Sequence, residues 1–260
     1  MTMAAPSETT KKRGRGRPAV ADVVTRDLII DTAYEFTKTV SLDELSIVQV
    51  ARRLGVVAGS LHYHVGTKDD LTSAILNRFY KNLYVELTVS TPNGSWRENI
   101  GHLARTLMNF QRRHVGIAQH VMAHARYRIF QKVAPDEIDY GVIYLDFAFD
   151  MFRRAGFSSR QTALFYHAIA LHCLVSSNSD AAGLGPVAHE TFLRAKVQQY
   201  RGDRYPGLAH ALEEFATIQT DEAFTLGLDA LVDNFATARG ATAAREPARP
   251  KKRRAAGAGT

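Results

Sequence analysis

The sequence has a single cysteine, Cys173, in 260 residues, which excludes an internal disulfide and any zinc cage built on cysteine. No apolar run approaches about 18 residues, so no segment reads as a membrane-spanning helix. The N-terminus passes from small and polar residues straight into a basic cluster, without the apolar stretch of a secretory signal. Strand-like alternation is scarce, and no internal repeat is visible. No glycine loop follows a strand, Gly183-Leu184-Gly185 being too short to cradle a phosphate, and no nucleophile–base pairing stands out. No enzyme is therefore expected. A cytoplasmic chain is, in which Asn93-Gly94-Ser95 marks a loop and not a glycosylation site.

What is present is 45% hydrophobic, enough to build a core. The length suits a small domain plus a medium one, since single cores rarely grow beyond ~250 residues. The formal charge of +7 is unevenly placed. In residues 1–20, Lys11, Lys12, Arg13, Arg15 and Arg17 face only Glu8. In residues 240–260, six basic residues face only Glu246, so the intervening body is slightly acidic. Two basic tails, 1–24 and 239–260, are rich in Gly, Ala and Pro and expected to be disordered when free. Lys and Arg on phosphates release condensed counterions, so such tails suit a polyanion. For the C-terminal tail, a purely solubilising role stands equally open.

Between the tails, apolar residues recur at helical spacing, and an all-α fold is expected. Ile29, Ala33 and Phe36 mark a first helix. Ile47, Val50, Ala51 and Leu54 mark a short second one. Leu71, Ile75 and Phe79 mark a longer one, and Ile100, Leu103, Leu107 and Phe110 another. A helix is expected after Gly116 and a further one after Pro135, where a missing N–H costs nothing at a helix start. That second helix is apolar on two faces and should lie between layers or beside a cavity. Residues 159–176 form another. Residues 177–207, rich in Gly, Asp, Ser and Pro, read as a long, partly mobile connection with one helix near 191–200. A last helix from Thr220 carries Phe224, Leu228, Leu231 and Phe235.

Segment 46–64 is the most informative. Ser46 with Gln49 fits a capping box, and Gly55 can close the helix in a left-handed conformation. A helix of barely two turns then runs from near Val57 to near His64, giving two short helices about a glycine-containing turn. Ala51-Arg52-Arg53-Leu54-Gly55-Val56, Gly59-Ser60-Leu61-His62-Tyr63-His64-Val65 and Thr67-Lys68-Asp69-Asp70-Leu71 together resemble the N-terminal domain of the tetracycline-repressor (TetR) family. The stretch 221–233 resembles the family's last helix. That resemblance implies a helix-turn-helix DNA-binding domain over 25–70 and a ligand-binding and dimerisation domain over 71–238. It places base or phosphate contacts at Val48, Ala58, Ser60, His62, Tyr63, His64 and Lys68. Leu61 reads as packing, while His64 reads equally as packing or contact. Val57 departs from the family's usual Ser or Thr, which removes a helix cap, and His62 departs from its usual aromatic.

Segment 25–90 holds seven basic residues against eight acids, so affinity must draw on the N-terminal arm. Lys11-Lys12-Arg13-Gly14-Arg15-Gly16-Arg17-Pro18 resembles an AT-hook, and Arg13, Arg15 and Arg17 are expected in a narrow A·T minor groove. In the larger domain, Phe110, His114, His120, His124 and Tyr127 converge with Tyr144, Phe147, Met151, Phe165, Tyr166 and His167 as candidate lining of a largely apolar effector site. His120 and His124, four apart, share a helix face, and His114 or His102 could add a third metal ligand. With no carboxylate at a fixed offset, buried histidines are the reading taken, and neither metal nor cofactor is expected. His172 and Cys173 read as packing.

The resemblance also implies that the helices at 159–178 and 220–238 pair with a second copy, small residues such as Ala163, Ala170 and Gly227 allowing close approach. By the resemblance, coupling to DNA runs through the segment around Gly101–Gly116. The function expected is a homodimeric transcriptional regulator, a repressor released from a palindromic operator by a small molecule. A constitutive architectural DNA-binding protein using its basic tails is the alternative.

Overall fold

The computed structural model describes residues 24–124, 131–134, 136–199 and 204–245. Among these, eleven α-helices and one short 3-10 helix occur without a strand, as the all-α reading expects. The first four helices are α1 (Arg26–Phe36), α2 (Ile47–Leu54), α3 (Ala58–Val65) and α4 (Lys68–Ser90). Thr25 caps α1, while Ser46 with Gln49 and Thr67 with Asp70 form reciprocal capping boxes at α2 and α4. Helix α2 closes at Gly55 with φ 69° and ψ 28°, a left-handed geometry that any side chain would strain.

Helix α3 lacks such a start, because Val57 offers its amides no side-chain acceptor. Val57→Ser should supply that bond and stabilise the protein by about 1 kcal/mol, raising Tm by roughly 2–4 °C. An unchanged Tm would mean that water already satisfies this helix end as well as a hydroxyl does.

One face of each short helix turns inward. Ile29 and Ala33, Val50 and Ala51, Leu61 and Val65, and Leu71 and Ile75 are all buried in a common core. Helix α4 continues without a break past residue 70 into the larger set of helices. These are α5 (Trp96–Arg113), α6 (Val115–Ala123), α7 (Tyr140–Arg154), α8 (Ser159–Ala181), α9 (Glu190–Val197), α10 (Pro206–Phe215) and α11 (Thr220–Arg245). Helix α5 packs on α8, α4 on α7, and α11 on α8. Their centre is filled by Leu83, Ile100, Leu103, Phe152 and Phe235, all at most 2% exposed. Cys173 lies in this core with its thiol donating to the Ala104 carbonyl at 3.3 Å. Burial pushes that thiol up to about 12, so it is packing and no redox group.

Two expectations need correction. The helix after Pro135 begins only at Tyr140, because the Asp139 carboxylate accepts the Val142 amide and sets the start. A proline merely tolerates a helix start, whereas a capping aspartate stabilises one. The stretch 177–207 is also more helical than its composition suggests. Helix α8 runs on to Ala181, a 3-10 turn covers Pro186–His189, and α9 follows directly. The glycines there, such as Gly183 at φ 63°, mark turns between helices.

Candidate nucleic-acid interface

Helices α2 and α3 with the turn between them form the helix-turn-helix that segment 46–64 suggests. Two turns of α3 carry both a buried anchor and an exposed face. Leu61 is 0% exposed in the core, while Tyr63 is 89% exposed and Val48, on α2, is 55% exposed. Leu61 is thereby packing. His62 is exposed as well, and Ala58, Ser60 and His64 are half-buried. The Ser60 hydroxyl donates to the Val57 carbonyl at 2.9 Å, which leaves its oxygen free to accept. His62 Nδ1 lies 3.0 Å from the Gly66 carbonyl, so that nitrogen carries the proton and Nε2 is left as an acceptor. The Tyr63 ring meets His64 edge-on at 5.4 Å. A Cβ added at Gly59 would meet nothing within 4 Å, so the fold itself does not require glycine there.

Lys68, at the first position of α4, donates to the backbone carbonyl of Asp43. Beside it, the Thr67 amide and hydroxyl, then Lys132, hold the Asp70 carboxyl down to about 2. The start of α4 is therefore a mixed site, its amides and Lys68 favouring an anion and its acids opposing one. Arg13, Arg15 and Arg17 lie outside the described residues, as does Tyr127.

The residues expected to line an effector cavity are not all brought together. Phe147 and Met151 of α7 border a pocket of about 370 Å³ with Thr88, Thr91, Trp96 and Asn99. That volume lies within the range of ~300–1,000 Å³ common for small-molecule sites. Trp96, Thr88 and Asn99 are additions that spacing on α7 alone could not reveal. Tyr144 and Tyr166 are buried with their hydroxyls 3.3 Å apart, and Tyr144 stacks on Tyr80 at 5.4 Å. Phe110 is buried edge-on to Phe79 at 5.7 Å. Phe165 stacks on Phe235 at 4.0 Å, and His167 is on the exposed side of α8.

The three histidines His114, His120 and His124 gather elsewhere, where α6 meets the loop between α1 and α2. His114 stacks on Tyr34 with ring centroids 4.1 Å apart. The Thr37 hydroxyl gives its proton to the Tyr34 carbonyl at 2.6 Å, so His114 Nδ1–H is the donor in the 2.8 Å bond to Thr37. Burial above all pushes this imidazole down to about 4, leaving it uncharged at neutral pH. Next to it, the Gly116 amide donates to the Thr37 carbonyl at 2.9 Å, and its carbonyl accepts from Leu42 at 3.3 Å. A Cβ on Gly116 would stand 1.8 Å from the Val40 carbonyl oxygen. Helix α6 is thus stapled by backbone to the loop that leads into α2. Two further ties, Arg26–Glu137 and Lys132–Asp70, join the first helices to the segment before α7.

Leu164, Leu171 and Val175 lie exposed along one stripe of α8, at 47%, 47% and 56%. Ala163 shares the exposed surface of that helix, while Ala170 is half-buried. Gly227 also packs closely within its own chain. Its missing side chain admits His172 of the same chain, whose Cε1 would be 2.5 Å from an added Cβ. His172 lies flat on Phe224 at 4.9 Å and bonds the Phe224 carbonyl through Nε2 at 2.9 Å.

No family model matches the chain. An HTH-type transcriptional repressor of Mycobacterium tuberculosis is 27% identical over 169 residues, which are 62% of this chain and 62% of the relative. The match thus spans less than two thirds of that curated relative. An HTH-type transcriptional regulator of Saccharopolyspora erythraea is 32% identical over 91 residues, 35% of each chain. Among solved structures, apo ActR from Streptomyces coelicolor superposes with a TM-score of 0.66 at 20% identity, covering 84% of this chain and 98% of ActR. The same TetR family protein in complex with actinorhodin gives 0.65 at 19% identity, covering 84% and 99%.

Proposed function

We propose that this chain, whose fold is that of a solved TetR family protein, is a homodimeric transcriptional repressor released from a palindromic operator by a small, largely apolar effector. The observation that carries the reading is the division of labour on α3, where Leu61 is wholly buried and Tyr63 almost wholly exposed. An isolated two-turn helix is unstable in water, so anchoring by Leu61 is what lets the outer face meet a duplex as a rigid unit. Major-groove reading then falls to Val48, Ala58, Ser60 and His62. Tyr63, His64 and Lys68 serve the sugar-phosphate chain, Lys68 exchanging the Asp43 carbonyl for a phosphate. The arm with Arg13, Arg15 and Arg17 adds minor-groove and counterion-release terms that the slightly acidic body lacks.

The effector site proposed is the pocket bordered by Phe147, Met151 and Trp96, and Trp96 is the only tryptophan in the sequence. Its fluorescence therefore reports on occupancy. Release follows if the effector binds better to a dimer geometry in which the two α3 helices no longer match successive major grooves. Because that coupling is reciprocal, DNA should weaken effector binding by the same factor.

The test is Tyr63→Ala, measured on duplexes that the wild-type protein recovers from a random pool. Affinity should fall about tenfold or more, near 1.4 kcal/mol, while Tm stays within about 1 °C, since an exposed side chain contributes little to folding. Unchanged affinity would remove α3 from the interface.

A further inference from the structure

We infer that Asp43, His120 and His124 form a binding site for a divalent transition metal of the zinc class, placed across the joint between the α1–α2 loop and α6. One ligand atom from each residue lies within 4.8 Å of the other two. His120 Nδ1 is 2.9 Å from Asp43 Oδ1, and His124 Nε2 is 3.4 Å from the same oxygen. Donors bound at about 2.0–2.1 Å to a tetrahedral ion stand roughly 3.3 Å from each other. The His124–Asp43 separation is close to that value, the His120–Asp43 separation somewhat shorter, and the two ring nitrogens stand no more than 4.8 Å apart.

The orientation of His124 adds a second argument. Its Nδ1 lies 2.9 Å from the His120 carbonyl, which can only accept, so Nδ1 carries the proton. Nε2, 3.4 Å from Asp43 Oδ1, is then the ring nitrogen left to meet an ion. This second hydrogen bond is also what commonly fixes the ring of a metal-bound histidine. The two imidazoles lie against each other, with centroids 4.1 Å apart. His120 is 4% exposed at its side chain, His124 34% and Asp43 44%, so the site is walled on one side and open to solvent on the other.

Two imidazoles with one carboxylate suit zinc and its first-row neighbours. Calcium and magnesium prefer all-oxygen shells. The open side leaves positions for water. The ion would clamp α6 to the loop that Gly116 already staples, and it lies apart from the pocket at Trp96. The inference does not depend on the repressor reading, because its test involves no DNA.

The experiment is calorimetric titration of chelator-stripped, untagged full-length protein with zinc chloride, repeated for Asp43→Asn, His124→Ala and, as control, His102→Ala. One zinc per chain is expected, with affinity at least about tenfold lower in the first two variants and unchanged in the third. Zinc should also raise the Tm of wild type and control, but not of Asp43→Asn or His124→Ala, whose metal-free unfolding shows whether they still fold. If neither variant retains cooperative unfolding, His124→Gln takes their place in the titration. No binding to wild type at hundred-micromolar zinc, or equal affinity in a folded ligand variant, would overturn the assignment.

Discussion

Replacing Leu171 and Val175 together by aspartate should leave the chain folded, convert the protein to a monomer, and weaken binding to a palindromic duplex at least ~100-fold, or about 2.7 kcal/mol. The two positions belong to one exposed apolar stripe of α8, which also includes Leu164. Burying such aliphatic side chains against a second copy stabilises a dimer by about 1.5–3 kcal/mol each. A two-fold axis counts every substitution twice and brings the new carboxylates toward one another across the interface. The cost of desolvating unpaired charge then adds to the lost apolar burial. A monomer can fill only one half-site and loses the contacts of the other. Sedimentation velocity with duplex titration reads both effects. A persistent dimer would remove this stripe from the interface, and a monomer of undiminished affinity would contradict the two-half-site mechanism.

Gly116→Ala should lower Tm by roughly 3–10 °C, corresponding to about 1–3 kcal/mol of overpacking. The added methyl would stand 1.8 Å from the Val40 carbonyl oxygen and 3.0 Å from that of Thr37. Both are backbone atoms, so neither can swing aside as the end of a side chain would. Relief must come from separating α6 and the α1–α2 loop, which stretches the bonds that Gly116 makes to Thr37 and Leu42. The same displacement should weaken the response to effector, because α6 would no longer report its position to the loop before α2. Thermal unfolding followed by circular dichroism is the measurement. A Tm within about 1 °C of wild type would mean that the joint yields easily and transmits little.

What could be read in advance divides along a physical line. The capping box of Ser46 and Gln49, the left-handed Gly55 and the missing cap at Val57 are local signals, and each is found as expected. The inward spacing of Ile47, Val50 and Ala51 is likewise a property of one helix turn. The joint at α6 was not legible, because its members come from distant parts of the chain. His120 and His124 announce a shared face by their spacing, but the carboxylate opposite them stands 77 residues upstream of His120. Gly116 looked like an ordinary helix boundary, and only the Val40 carbonyl beside it explains why no side chain fits. The same holds for Gly227, whose partner His172 sits on another helix of the same chain. The apolar pattern of α7 did indicate a helix between layers, yet Phe147 and Met151 reach the pocket while Tyr144 faces the core. Period alone does not separate those two environments.

The central claim, that α3 of a symmetric dimer reads a DNA sequence, is tested most directly by selecting bound duplexes from a random pool with the full-length protein. A palindrome whose half-sites are about one helical turn apart is expected. Enrichment of A·T-rich tracts without symmetry would contradict it, since binding would then rest on the basic tails rather than on α3.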